Sequence, residues 1–213
     1  MKSKKVLALL LISFIFTNPA TAATPSIVSY KSTEDAIKVL KVTPESRTGY
    51  VRTKFKHWVG VGNGCDSRKA VIISEAIVKP IVEKGCVIKG GEWISIYDSV
   101  KVIDAGKLDV DHMVPLAEAW DSGASAWDDK KRELYANDQT DTIHLIAVTG
   151  ASNRSKSDRD PAEWMPTNQK YKCQYIMNWV SIKIRWSLSV DEKELFAIKS
   201  IKCPKRKITI PSL

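Results

Sequence analysis

Two short stretches of the chain hold side chains suited to breaking a phosphodiester with water. The first reads DVDHMVPLAEAW and centres on Asp111 and His112; the second reads HLIAVTGASNRSKSDRDP and centres on Asn153 and Lys156. Attack by water needs a base, and an imidazole that titrates near neutrality contributes about two to four orders of magnitude in that role. His112 is the candidate base. A hard divalent cation takes oxygen ligands and offsets charge on the phosphate and the departing oxygen. Asp111 and Asn153 offer such oxygens, with Mg2+ the expected ion and Mn2+ or Zn2+ as alternatives. Arg154, Lys156 and Arg159 supply cations for the scissile and flanking phosphates, arginine through two oxygens at once. Each residue also has a plainer reading. A lone histidine is usually hydrogen-bonded at a strand end, Asn153 could cap a helix, and the cations could face solvent beside Asp158 and Asp160. The chain has only three histidines, and His112 and His144 both fall in these stretches. That clustering favours the chemical reading.

The positioning elements follow from periodicity and breakers. Leu108 to Val114 is expected as a strand with Asp109 and Asp111 on one face. Neighbours on an ideal strand point to opposite faces, so Asp111 and His112 share a site only if the chain bends before Pro115. Pro115 opens a short helix, Asp128 to Ala136 forms a charged one, Ile143 to Val148 a second strand, and Ser152 to Asp158 a polar helical turn. Asp160-Pro161-Ala162-Glu163 is a helix-start signal. Upstream, Ser32 and Asp35 fit a capping box before a short helix, residues 67–78 suit a helix, and residues 84–98 a hairpin turned at Gly90-Gly91. Tyr171 to Ser187 is the longest helix expected. Ser189 with Glu192 caps a last one, and the tail around Lys205-Arg206-Lys207 is expected to be loose. Trp120, Trp127 and Trp164 are assigned to the core rather than to stacking on bases.

The order DH, then HLIAV, then Asn-x-x-Lys resembles the HNH group of ββα-metal nucleases. DVDHMVPLAEAWDSGASAW, YAND, LIAVTGASNRSKSDRDPAEWMP and the later Cys-x-Tyr…Trp resemble more closely the secreted HNH-type proteins of the DUF1524 (GmrSD C-terminal-like) family, from about Tyr50 through Cys203. The resemblance implies an α+β fold. Its ββα-metal (HNH, His-Me finger) core would span about residues 108–166, with surrounding helices and a small N-terminal hairpin. It implies His112 as general base, Asp111 and Asn153 as ligands of one divalent ion, and Lys156 at the substrate phosphate. The middle Asn of the HNH pattern falls on His144, which is a departure. That position braces the loop carrying the base, and a histidine there could brace it through a ring nitrogen or add a metal ligand. Asp109 joins His144 as a supporting residue.

Met1 to Lys5 is basic, Val6 to Phe16 is an apolar run, and Ala20-Thr21-Ala22 offers small residues for cleavage. This reads as a Sec-type signal peptide over residues 1–23, too short to span a bilayer. Residues 24–213 suit a single domain. The chain carries a net charge of +9, and removing Lys2, Lys4 and Lys5 with the leader leaves +6. A basic exported protein can bind nucleic acid, acidic polysaccharide or a membrane surface, and charge alone does not choose between them. Four cysteines in an oxidising compartment imply disulfides, of which Cys65–Cys86 and Cys173–Cys203 are favoured because each pair brackets a contiguous segment outside the site. The absence of any CxxC spacing argues against a zinc cluster. The sequence therefore reads as a secreted or periplasmic, metal-dependent endonuclease. It would be a monomer acting on DNA or RNA with weak sequence specificity, and would have no membrane partner. The competing reading is a non-catalytic nucleic-acid or polyanion binder on a nuclease-like fold. A glycan hydrolase using Asp109 and Asp111 is disfavoured, since that chemistry needs acids on opposite sides of a bond.

Overall fold

The computed structural model describes residues 27–213, and the leader expected over residues 1–23 lies outside them. β1 (Ile27–Tyr30) precedes α1 (Thr33–Ala36), whose first turn is closed by Ser32 Oγ accepting from Asp35 N at 3.2 Å. β2 (Gly60–Gly62) and β3 (Cys65–Asp66) form a hairpin that leads into α2 (Ser67–Glu75). β4 (Ile81–Glu83) pairs with β5 (Val87–Lys89), and β6 (Trp93–Ile94) with β7 (Lys101–Val102). Next come β8 (Leu108–His112), α3 (Leu116–Asp121), α4 (Asp129–Ala136), β9 (Leu145–Thr149) and α5 (Gly150–Lys156). The chain closes with α6 (Lys172–Arg185), α7 (Glu192–Ser200) and β10 (Ile208–Pro211). Helices mixed with two-stranded antiparallel sheets make the fold α+β. Among the described residues no helix is long and apolar enough to cross a membrane.

The β8–β9 ribbon organises the interior. Its register pairs Asp111 with Ile146 and His112 with Leu145. Side chains alternate across a strand, so one face carries Leu108, Val110, Leu145 and Ala147, and packs with Val71 and Ile72 of α2 and with Trp93. The other face carries Ile146 and Val148 and joins the larger core of Tyr97, Met113, Tyr175 and Trp179. A ribbon buried on both faces explains the nearly unbroken apolar run Leu145 to Val148. Pairing stays regular through His112, so the bend expected to bring Asp111 and His112 to one face does not occur within the strand. Trp120 is buried, and Trp127 and Trp164 pack against the larger core.

Several local expectations need correction. Val87 and Ile88 pair back with β4 rather than forward with Trp93. Gly85 and Cys86 both adopt positive φ, 75° and 60°, and turn the chain there. Gly64 lies so close to Gly85 that a Cβ on it would stand 2.8 Å from the Gly85 Cα. That approach accompanies the Cys65–Cys86 disulfide; the second disulfide joins Cys173 to Cys203. Both are the favoured pairings. The Asp160 signal produces one turn only, with Asp160 Oδ1 accepting from Ala162 N at 2.6 Å and Glu163 N at 3.1 Å. The last helix is capped by Asp191 rather than Ser189, whose hydroxyl donates to Ser122 O instead. The tail ends in β10, which pairs with β1 and buries Ile208 and Ile210.

Candidate active site

The last carbonyls of a helix lack partners within it. At the end of α4 two of them are met by imidazoles: Tyr135 O accepts from His144 Nε2 at 2.7 Å, and Ala136 O accepts from His112 Nε2 at 2.9 Å. A carbonyl only accepts, so each ring carries its proton on Nε2 and leaves a lone pair on Nδ1. The two rings then differ. His144 Nδ1 is buried without a partner. His112 Nδ1 has no protein partner among the described residues but is not one of the sealed atoms, and His112 lines a cavity. Burial pushes the His112 pKa well below its ordinary value, helped by the neighbouring His144. Burial also pushes His144 down to about 4, against the pull of Asp138. Both rings are neutral at pH 7. The Trp58 ring stacks on His112 with centroids 5.3 Å apart. His144 sits between Tyr135 and Trp186, and its carbonyl accepts from Met113 N at 2.9 Å. That contact is a backbone one, which continues the β8–β9 pairing just past His112.

On the opposite face of β8, Asp111 Oδ2 accepts from Tyr97 Oη at 2.6 Å and from Lys156 Nζ at 2.8 Å. Lys156 Nζ also donates to Asp111 Oδ1 at 3.1 Å and to His112 O at 3.0 Å. Burial raises the Asp111 pKa and lowers that of Lys156, and their contact opposes both shifts. Lys156 is 0 % exposed. The phosphate contact expected of it is therefore replaced by an internal one, in which its ammonium clamps the strand that carries Asp111 and His112. The hydrocarbon stem gave no sign of this, because a lysine three residues after Asn153 is equally compatible with a solvated or a buried ammonium.

α5 begins at a Thr149 cap, with Thr149 Oγ1 accepting from Ser152 N at 3.2 Å. One turn later Asn153 Nδ2 donates to Asp109 Oδ2 at 3.2 Å. Asn153 Oδ1 has no partner among the described residues. Asp109 also lies 3.6 Å from Arg154 Nη1 and 4.0 Å from Arg68 Nη2, which makes it an anchor for the amide and for the local cations. A cavity of about 440 Å³ is lined by Arg52, Asp111, His112, Asn153, Arg154 and Asp158, among others. Val110, Asp111 and His112 are consecutive and all reach it, so it runs along the edge of β8 that β9 leaves unpaired. Asp111, His112 and Asn153 thus all line one cavity without a bend within β8, although both oxygens of Asp111 are bonded to Lys156 and Tyr97. Arg159 does not line this cavity; its Nε donates to Lys156 O at 3.2 Å. Arg52 and Trp58 are additions from the structure. Their stretch, YVRTKFKHW, was basic and aromatic but carried no spacing that tied it to His112.

The chain matches the family model for the C-terminal domain of GmrSD restriction endonucleases over residues 84–198, just over half its length. It is also 35 % identical over 197 residues to a protein of Arthroderma benhamiae named "Uncharacterized secreted protein", covering 92 % of this chain and 96 % of the relative. No solved structure matches the chain. The stretch matched by the family model contains β8, α3 and α5, which line the cavity together with Tyr50 and Arg52 from outside it, and the chain belongs to the family of GmrSD restriction endonuclease C-terminal domains.

Proposed function

We propose that this protein is an exported, metal-dependent endonuclease that hydrolyses phosphodiester bonds of DNA or RNA at a ββα-metal site. The observation that carries this reading is the tethering of His112. Ala136 O holds its Nε2–H, and Nδ1 keeps a free lone pair on a residue lining the same cavity as Asp111 and Asn153. In this reading Nδ1 takes the proton from the attacking water, which a neutral imidazole is ready to do at pH 7. Trp58 holds the ring in place. Lys156 positions Asp111 and the His112 carbonyl. Arg154 and Arg52 hold phosphate oxygens at the cavity mouth.

In this reading Asp111 and Asn153 would hold a hard divalent cation: Asn153 Oδ1 is unpartnered, and of the roughly four lone-pair sites on the Asp111 carboxylate, one remains beside those taken by Tyr97 and Lys156. Two protein oxygens with remaining positions for water and phosphate suit Mg2+. Such an ion would offset charge on the phosphate and the leaving oxygen. Contacts of this kind read the backbone rather than base edges, so binding is weakly sequence-specific and salt-sensitive. Export is supported by the leader-like residues 1–23, the two disulfides and the name of the relative. The protein acts as a monomer in this reading.

The test is incubation of the mature, oxidised protein with supercoiled plasmid and Mg2+ or Mn2+. Nicked and linear products are expected, and EDTA abolishes them. A protein that shifts DNA in a gel yet leaves it intact with every divalent ion is a binder on a nuclease-like fold.

A further inference from the structure

A second group of acids lies away from His112. Glu45, Glu118 and Asp121 each offer a carboxylate oxygen, and these oxygens lie within 4.8 Å of one another. Asp160, Asp191 and Glu194 converge on Glu45 within the same limit. The cations nearby are already engaged. Lys183 Nζ, fully buried, donates to Glu118 Oε1 at 2.5 Å and Glu194 Oε2 at 3.2 Å. Arg47 bonds Asp121 Oδ2 and Asp158 Oδ2, each at 2.6 Å. Glu45 has no hydrogen bond or ion pair among the described residues.

The Asp121 side chain supplies the second, independent observation. It is more than nine-tenths buried, and its Oδ1 has no hydrogen-bond partner. An unpaired buried carboxylate oxygen is costly, and here it belongs to a group of acids that repel one another. A cation among them answers both problems.

We propose that Glu45, Glu118 and Asp121 bind a calcium ion at a site separate from the catalytic cavity. Calcium accepts carboxylate oxygens at about 2.3–2.6 Å in flexible geometry, so ligands across one ion stand up to about 5 Å apart. The observed spacing falls inside that span. Mg2+ demands near-ideal octahedral geometry and keeps its water, and it suits this crowded set less well. The ion fastens the segment around Glu45 to α3, the helix that follows the catalytic strand. Arg47 carries the effect onward, because its second partner Asp158 lines the cavity. The inference does not depend on the nuclease reading.

The test is thermal unfolding of the mature protein, first stripped with EDTA and then given calcium at about 10 mM, above the roughly 0.1–1 mM affinities of extracellular calcium sites. Potassium chloride at equal ionic strength is the control. The melting temperature of the wild type is expected to rise by roughly 3–10 °C. Glu45→Gln, at an exposed position that leaves the core intact, is expected to lose that rise. Asn153→Ala is expected to keep it. No calcium-dependent rise in the wild type overturns the proposal, as does an undiminished rise in Glu45→Gln. Loss of the rise in Asn153→Ala assigns the ion to the catalytic cavity and equally overturns it.

Discussion

His112 and His144 perform the same local act and have different consequences. Each donates Nε2–H to a carbonyl at the end of α4. His112 lines the cavity and its Nδ1 is not sealed, while His144 buries its Nδ1 in the core without a partner. Sealing has a pH consequence. Burial depresses the folded pKa of His144 from 6.5 to about 4, so below about 6.5 the unfolded chain takes up the proton first. The stability tied to this group, about 3 kcal/mol, is fully present above pH 6.5 and is lost as pH falls through about 4. In urea denaturation from pH 7 to pH 4, His144→Asn is expected to start less stable, having lost ring packing, but to show a shallower decline. Parallel declines contradict the assignment. The residue types of the site were legible in the sequence because imidazole, carboxylate and amide have few joint uses. The free lone pair of one ring and the sealed lone pair of the other depend on neighbours remote in the chain.

At the scale of elements, the decisive arrangement is α5 returning across the β8–β9 ribbon. It sets Asn153 beside Asp109 at its middle and Lys156 beneath Asp111 at its end. Removing one partner of a buried ion pair costs about 3–5 kcal/mol, because the other charge stays buried. Lys156→Met should therefore lose about that much stability in denaturant titration, and adding Asp111→Asn should recover part of it. A loss below about 1 kcal/mol would show that the clamp is not needed. β8 was readable from its alternation and β9 from its apolar run, while α5 was expected only as a polar helical turn from Ser152 and in fact begins at Gly150. The small hairpins were not. Their strands are two or three residues long, too short for alternation to show, and both Gly85 and the Gly90-Gly91 pair offered turns. β10 escaped notice because its partner β1 lies at the other end of the chain.

At the scale of the whole molecule, two cores share the β8–β9 ribbon, and the disulfides Cys65–Cys86 and Cys173–Cys203 fasten segments on either side of it in the sequence. The cavity thus sits beside a ribbon buried on both faces, and packing places Asp111 and His112 within it. Under the proposed function, Arg52 and Arg154 at that cavity suit a substrate gripped through its phosphates. The acids around Lys183 and Arg47 extend that packing to the segment before the first hairpin. The central claim is that His112 is the base. It is tested most directly by the rate of plasmid cleavage in Mg2+ for the wild type and His112→Ala, both shown to be folded by circular dichroism and both oxidised. The variant is predicted to cleave at least about 100-fold more slowly while still binding DNA, and equal rates would contradict the account.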